Sequence, residues 1–159
     1  MGLDMYLYFK KEKYTSHFRE SGSFYPQNIK DFEEDINIRN FASALQSEKY
    51  QVAYWRKANA IHKWFVDNCA EGVDECQEIK VGLAQLIELR DLCKEVMENN
   101  SLAKDKLPTQ NGFFFGSTKY DDWYFEDIEY TIHIFDKIIS FIGNQNDKER
   151  YEIVYQASW

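Results

Sequence analysis

Cysteine is scarce in this chain, and so are proline and glycine. Cys69, Cys76 and Cys93 are an odd number with no Cys-x-x-Cys pair. That argues against a disulfide framework and against a short zinc-chelating pair. A zinc reading of His62 with the three thiols lacks that pair, and Cys93 falls on an apolar helical stripe, where a free cysteine packs as a small hydrophobe. No metal is therefore expected. Two prolines and 7 glycines among 159 residues leave no Pro- or Gly-rich linker and no low-complexity tract. No apolar run approaches the ~20 residues of a membrane span. Residues 1–9 lack the basic start and long apolar core of a signal peptide. Tyr6 stands where a myristoylation signal wants Ser or Thr. A soluble, cytoplasmic setting with reduced thiols is expected, with no membrane partner.

Positive charge is also in short supply. Nineteen basic residues face 27 acidic ones, for a net charge of −8. Phosphate-backbone binding needs clustered Lys and Arg, and no such stripe exists, so direct nucleic-acid binding is not expected. Catalytic signatures are absent as well. There is no Gly-x-Ser-x-Gly, no His-Glu-x-x-His, no dinucleotide fingerprint and no phosphate loop, so no cofactor is expected.

What the chain has in abundance is aromatic residues: 12 Phe, 11 Tyr and 4 Trp. Its length suits one domain, residues 1–159, with a sizeable core. "LDMYLYF" (3–9) has the β-rich composition of an opening strand. Residues 10–50 form a loop-rich or hairpin excursion in which "DINIRN" and "KYQVAY" are short strand candidates. "YWRKANAIHKWFVDN" (54–68) is helical in period: Tyr54, Ala58, Ile61 and Phe65 share one face, and Arg56, Asn59, Lys63 and Asp67 the other. "CQEIKV" (76–81) suits a strand. Leu83, Leu86, Leu89, Cys93 and Val96 mark a helix over 83–98, ended by Asn99-Asn100. The longest helix is expected over 122–142, capped by Asp121 or Asp122. Its broad arc holds Tyr124, Ile128, Ile132, Phe135, Ile139 and Ile142, widened by Trp123, Tyr130, Ile134, Ile138 and Phe141. Glu126 and Asp127 sit in its first turns, where the helix dipole favours negative charge. "YEIVYQASW" (151–159) alternates as a closing strand. The class is α+β: a small, mostly antiparallel sheet with about three packed helices.

The stretch "GFFFGSTKYDDWYFED" (112–127) concentrates the functional question. Phe113 to Phe115 suit a short buried strand or plug. Gly116-Ser117-Thr118-Lys119 precedes a helix, but its order is wrong for a phosphate loop, and Asp121 and Asp122 would repel a phosphate. Tyr120, Trp123, Tyr124 and Phe125 crowd one helix start, and a single core cannot take them all. One or two should therefore face a cleft or a partner. His62, about 20° around the expected helix from Trp55, is the candidate catalytic base, beside Asp121 or Cys69. His133 falls on a polar helix face, and His17 lies in the excursion.

Together, "MGLDMYL", "YWRKANAIHKWFVDN", "LPTQNGFFFGSTKYDDWYFED" and the terminal "YQASW" resemble a family of small uncharacterised proteins of tailed phages and bacterial prophages. The resemblance covers most of the chain outside about residues 10–50. It implies a phage or prophage setting and no particular chemistry. Family members commonly end in Tyr-x-Ser-Ser-Trp, and Ala157 departs from that pattern. Several matching positions are polar or large beyond any packing need: Trp55, Arg56, Asn59, His62, Ser117, Thr118, Tyr120, Asp121, Tyr124 and Trp159. These are the candidate binding residues. The expected function is that of a non-catalytic accessory protein of phage origin in the bacterial cytoplasm. It would bind a host protein or a small aromatic or nucleotide-like ligand, with counter-defence as a role suited to that setting. Two alternatives stand beside it. One is a small hydrolase-type enzyme using His62 with a carboxylate or thiol. The other is an acidic decoy that mimics nucleic acid.

Overall fold

Strict alternation at the start of the chain sets the sheet. Leu3, Met5, Leu7 and Phe9 are fully buried, while Asp4, Tyr6, Tyr8 and Lys10 between them are half-buried on the opposite face. The computed structural model describes residues 2–12, 47–144 and 151–159. Strand β1 (Asp4–Glu12) pairs antiparallel with β2 (Ser47–Arg56) on one side and with β4 (Glu152–Ser158) on the other, and β4 also pairs with β3 (Ile79–Val81). The sheet order is β2-β1-β4-β3. The register opposes Leu7 to Ala53 and Tyr8 to Gln51, so Val52 is the extra residue of a β-bulge.

Helices α1 (Asn59–Cys69), α2 (Leu83–Glu98) and α4 (Asp122–Gly143) supply the apolar cover. A 3₁₀ turn (Asn100–Leu102) and the short α3 (Ala103–Lys106) lead from α2 into the loop that precedes α4. The fold is α+β, with an antiparallel sheet, as the mixed strand and helix patterns lead one to expect. Inward side chains of the sheet meet the helices ring to ring. Phe65 stacks on Tyr155 with centroids 4.1 Å apart, and Phe135 lies edge-on to Trp55 at 6.1 Å. The Trp55 indole N–H donates to Thr131 Oγ1 at 2.9 Å, which satisfies a buried donor. On the outer face Lys49 crosses the Tyr8 ring at 3.9 Å to reach Glu78 at 2.8 Å, and Lys10 meets the same carboxylate at 2.9 Å. These two lysines, Lys49 foremost, hold the Glu78 carboxyl below the ordinary carboxylate range. Among the described residues, no helix is long and apolar enough to cross a membrane.

The helix over 83–98 has the expected bounds, and the long helix runs one residue beyond its expected end, to Gly143. Four expectations need correction. The helix expected over 54–68 begins only at Asn59, because Tyr54, Trp55 and Arg56 complete β2 opposite Tyr6, Met5 and Asp4. Those three residues alternate out, in, out, a pattern that hydrogen bonding to β1 enforces and that a four-residue period imitates over so short a span. The strand expected over 76–81 is confined to Ile79–Val81, since Cys76 adopts a left-handed φ of 58°. Phe113 to Phe115 form a turn rather than a buried strand; Phe113 is 95% exposed and only Phe115 is buried. Trp123, expected to widen the buried arc of α4, is 75% exposed. Of the excursion expected over 10–50, both ends belong to β1 and β2, while "DINIRN" and His17 lie outside the described residues.

Phe135 sits at the centre of this core, fully buried between Trp55 and Phe65. Phe135→Ala should cost about 3–5 kcal/mol in denaturant unfolding, the range for a truncated core aromatic. A loss below roughly 0.5 kcal/mol, the scale of surface changes, would show that the α4 face is not core.

Candidate functional site

The chain leaves β2 through an abrupt turn. Lys57 adopts φ 61°, and its N–H donates to Leu3 O at 2.7 Å. Asn59, the first residue of α1, then holds the loop ahead of α4 with its whole amide. Its Nδ2 donates to Phe115 O at 2.9 Å and to Ser117 O at 2.8 Å, and its Oδ1 accepts from Gln110 N at 3.0 Å. Gly116 lies against Lys57 with φ 83°; a Cβ there would come within 3.0 Å of Lys57 Cβ. The third wall is the start of α4. Asp121 caps it by accepting from Tyr124 N at 3.3 Å, and Trp123, Tyr124, Asp127 and Ile128 follow along one side.

These three segments enclose a cavity of about 260 Å³. Ala58, Ala60, Ile61, Tyr124 and Ile128 give it an apolar lining, and Arg56, Lys57, Lys119, Asp121 and Asp127 bring charge to it. Ser117 and Thr109 add hydroxyls. Trp123 stands on the rim with its indole open to solvent. Trp123 and Asp127 are four residues apart on α4 and so neighbours on one helix face.

Asp127 is the unusual group. Burial first, then the nearby charges of Glu126 and Asp121, push its carboxyl up to about 7. Among the described residues, no ion pair or side-chain hydrogen bond meets that carboxylate. Asp121, by contrast, spends its acceptor capacity on the helix cap.

Of the residues singled out from sequence, Arg56, Asn59, Ser117, Asp121 and Tyr124 line the cavity. Trp55, His62, Thr118, Tyr120 and Trp159 do not, so the candidate binding residues do not assemble into one site. Trp55 points into the core, because it is an inward residue of β2 and not a helix residue. The Tyr120 hydroxyl turns away to accept from Thr109 N at 3.2 Å, and Thr118 O accepts from Thr109 Oγ1 at 3.0 Å. Asn59, expected on a polar helix face, is buried as the loop's anchor.

His62 belongs to a separate, buried chain of polar groups. Its Nδ1 lies 2.7 Å from the Tyr155 hydroxyl and its Nε2 lies 3.0 Å from Asp74 Oδ2. The Trp159 indole N–H donates to Asp74 Oδ1 at 3.3 Å, and the Phe115 ring stands edge-on to the imidazole at 5.2 Å. Asp74 therefore fills the place expected of Asp121 or Cys69. Both ring nitrogens are engaged and the imidazole is 1% exposed, so neither nitrogen faces a substrate. The Cys69 thiol is pushed up to about 11, by burial first and then by Glu88, which opposes thiolate formation near neutral pH. The polar chain's evident work is to seat β4 against α1.

Sequence reasoning missed Lys57, Thr109, Lys119, Trp123 and Asp127 as cavity residues. One signal for them existed. The aromatic crowding after Gly116 required some ring to face outward, and Trp123 with Asp127 at the next turn was the pair on one side of the helix.

Two outcomes test this geometry. Asn59→Ala removes three hydrogen bonds of roughly 1 kcal/mol each. It should destabilise the chain by about 3 kcal/mol and expose residues 110–118 to hydrogen exchange. Asp127 carries a sign that can be measured. Folding raises its carboxyl from 3.8 to about 7, so folded chains hold the proton more tightly. The stability this contributes is complete below about pH 4 and is lost as pH rises through about 7. The melting temperature of Asp127→Asn relative to wild type should therefore rise between about pH 4 and about pH 8; a constant difference would mean that the carboxylate is fully solvated.

No protein-family model, no curated protein and no solved structure matches this chain.

Proposed function

We propose that this chain is a non-catalytic binding protein. Its ligand is a small, flat, nucleotide-like molecule, an aromatic ring with an anionic end, held in the cavity between the β2–α1 turn, the 109–121 loop and the start of α4. The observation that carries this reading is the exposed Trp123 indole on the rim of a cavity to which Arg56, Lys57 and Lys119 bring three cations against the two carboxylates of Asp121 and Asp127. An indole face offers stacking to a ring, and the cations offer ion pairing to a phosphate or carboxylate. About 260 Å³ falls below the ~300–1,000 Å³ of sites for drug-sized ligands. The ring is therefore held at the mouth, against Trp123, rather than swallowed whole. The phage or prophage setting implied by the sequence resemblance belongs to the same proposal, with action in the bacterial cytoplasm and interference with host defence as the role.

A host protein as partner has one observation in its favour. Phe113, 95% exposed, is packed edge-on to Phe114 at the tip of the loop that Asn59 anchors. The hydrolase reading has less support, because the Asp74–His62–Tyr155 chain is closed to solvent at His62 and Tyr155.

Titration calorimetry with nucleoside monophosphates tests the proposal. Trp123 and Arg56 are exposed, so Trp123→Ala and Arg56→Ala should leave the melting temperature nearly unchanged. Each should weaken binding about tenfold or more, the scale of one lost stacking or charge-assisted contact. Full affinity in both variants would place the ligand elsewhere and end this reading of the cavity.

A further inference from the structure

Resting on that reading of the cavity, we infer that Asp127 reads the ligand's ring and selects one with two adjacent N–H donors on an edge, the pattern of guanine's N1–H and 2-amino group. Three observations converge on this residue. Trp123 and Asp127 both line the cavity, one turn apart on one face of α4, so a ring held against the indole has the carboxylate beside it. The Asp127 carboxylate has unused acceptor capacity, since no described side chain donates to it. The cations are provided separately. Lys57 and Lys119 line the cavity and, among the described residues, make no ion pair. They are left for the ligand's anionic end rather than for Asp127.

The chemistry then narrows the ring. At about pH 8, the pH of the titrations below, a carboxyl raised to about 7 has lost its proton, and Asp127 only accepts hydrogen bonds, through two oxygens spaced to receive a parallel pair of donors. Guanine presents such a pair. Hypoxanthine lacks the 2-amino group and offers one donor. Adenine sets a ring-nitrogen lone pair beside its amino group, so one carboxylate oxygen would face another acceptor. A buried polar group left without its partner is what gives such sites their discrimination. Asp127 is partly buried between apolar Tyr124 and Ile128, and a ring bound over it displaces its remaining water, which makes an unmade bond costly here.

The test uses the full chain with guanosine, inosine and adenosine 5′-monophosphates in parallel titrations. Wild type should prefer guanosine over inosine by about tenfold or more, the effect of one lost charge-assisted hydrogen bond, with adenosine weakest. Asp127→Asn keeps the side chain's shape but turns one acceptor into a donor. It should erase the guanosine preference while retaining a weaker, ring-tolerant binding through Trp123 and the cations. Equal affinities of the three nucleotides for wild type would overturn the assignment to Asp127 and leave the nucleotide-like ligand standing. Absence of binding by all three would overturn both. A guanosine preference that survives in Asp127→Asn would assign the ring reading to another residue. Should the variant fail to fold, the wild-type ratio of guanosine to inosine affinity from about pH 8 to about pH 5 decides: a ratio that falls as Asp127 takes up its proton upholds the assignment, and a constant ratio overturns it.

Discussion

One buried amide organises the half of this molecule that holds the cavity. Asn59 sits where β2 has ended and α1 begins, and its side chain makes three hydrogen bonds to the backbone of a loop more than fifty residues away in sequence. A buried amide with all three contacts made is a strong positional constraint, because losing any one leaves a polar group unpaired away from water. The loop so held ends in Asp121, which caps α4, while burial of Ile128, Phe135 and Ile138 fixes the rotation of that helix about its axis. Trp123 and Asp127 face the cavity as a consequence. The cavity's three walls are therefore coupled through one residue.

The two carboxylates at partly buried positions illustrate how partners decide roles. Asp74 is shared by His62 and Trp159, and through them it joins the loop before β3, helix α1 and the end of the chain. Its acceptor capacity is consumed in architecture. Asp127 has similar chemistry and a similar degree of burial, but no partner among the described side chains. Burial without a partner penalises the charged form, which is why its carboxyl rises to about 7.

The tyrosines on the outer face of the sheet show a third use of aromatic surface. Tyr6 stacks on Tyr8 at 5.9 Å and leans on Tyr54 at 5.3 Å, while Lys49 and Glu78 cross beside them. Rings and charged stems cover each other there, which places apolar ring surface between polar groups.

Much of the architecture was legible because it depends on short-range periodicity. The alternation of residues 3–9, the stripe from Leu86 to Val96 and the arc around Phe135 each state which face is buried, and burial of that face drives the element to form. The capping carboxylate at Asp121 was equally local. The end of β2 was not legible, since Tyr54, Trp55 and Arg56 fit a strand or a helix until β1 supplies the hydrogen bonds. The same error moved Trp55 and His62 toward a cleft that their burial forbids. Trp123 and Asp127 could be read as a pair on one helix face but not as facing outward. That depended on the Asn59 amide and the loop it anchors. The sequence by itself determined the faces of the elements, because those follow from contacts within a few residues. Only the tertiary structure decided which polar groups were satisfied and which were left open, because hydrogen-bond partners such as Asn59 with Phe115, or His62 with Tyr155, are chosen by chain crossings that no local pattern records.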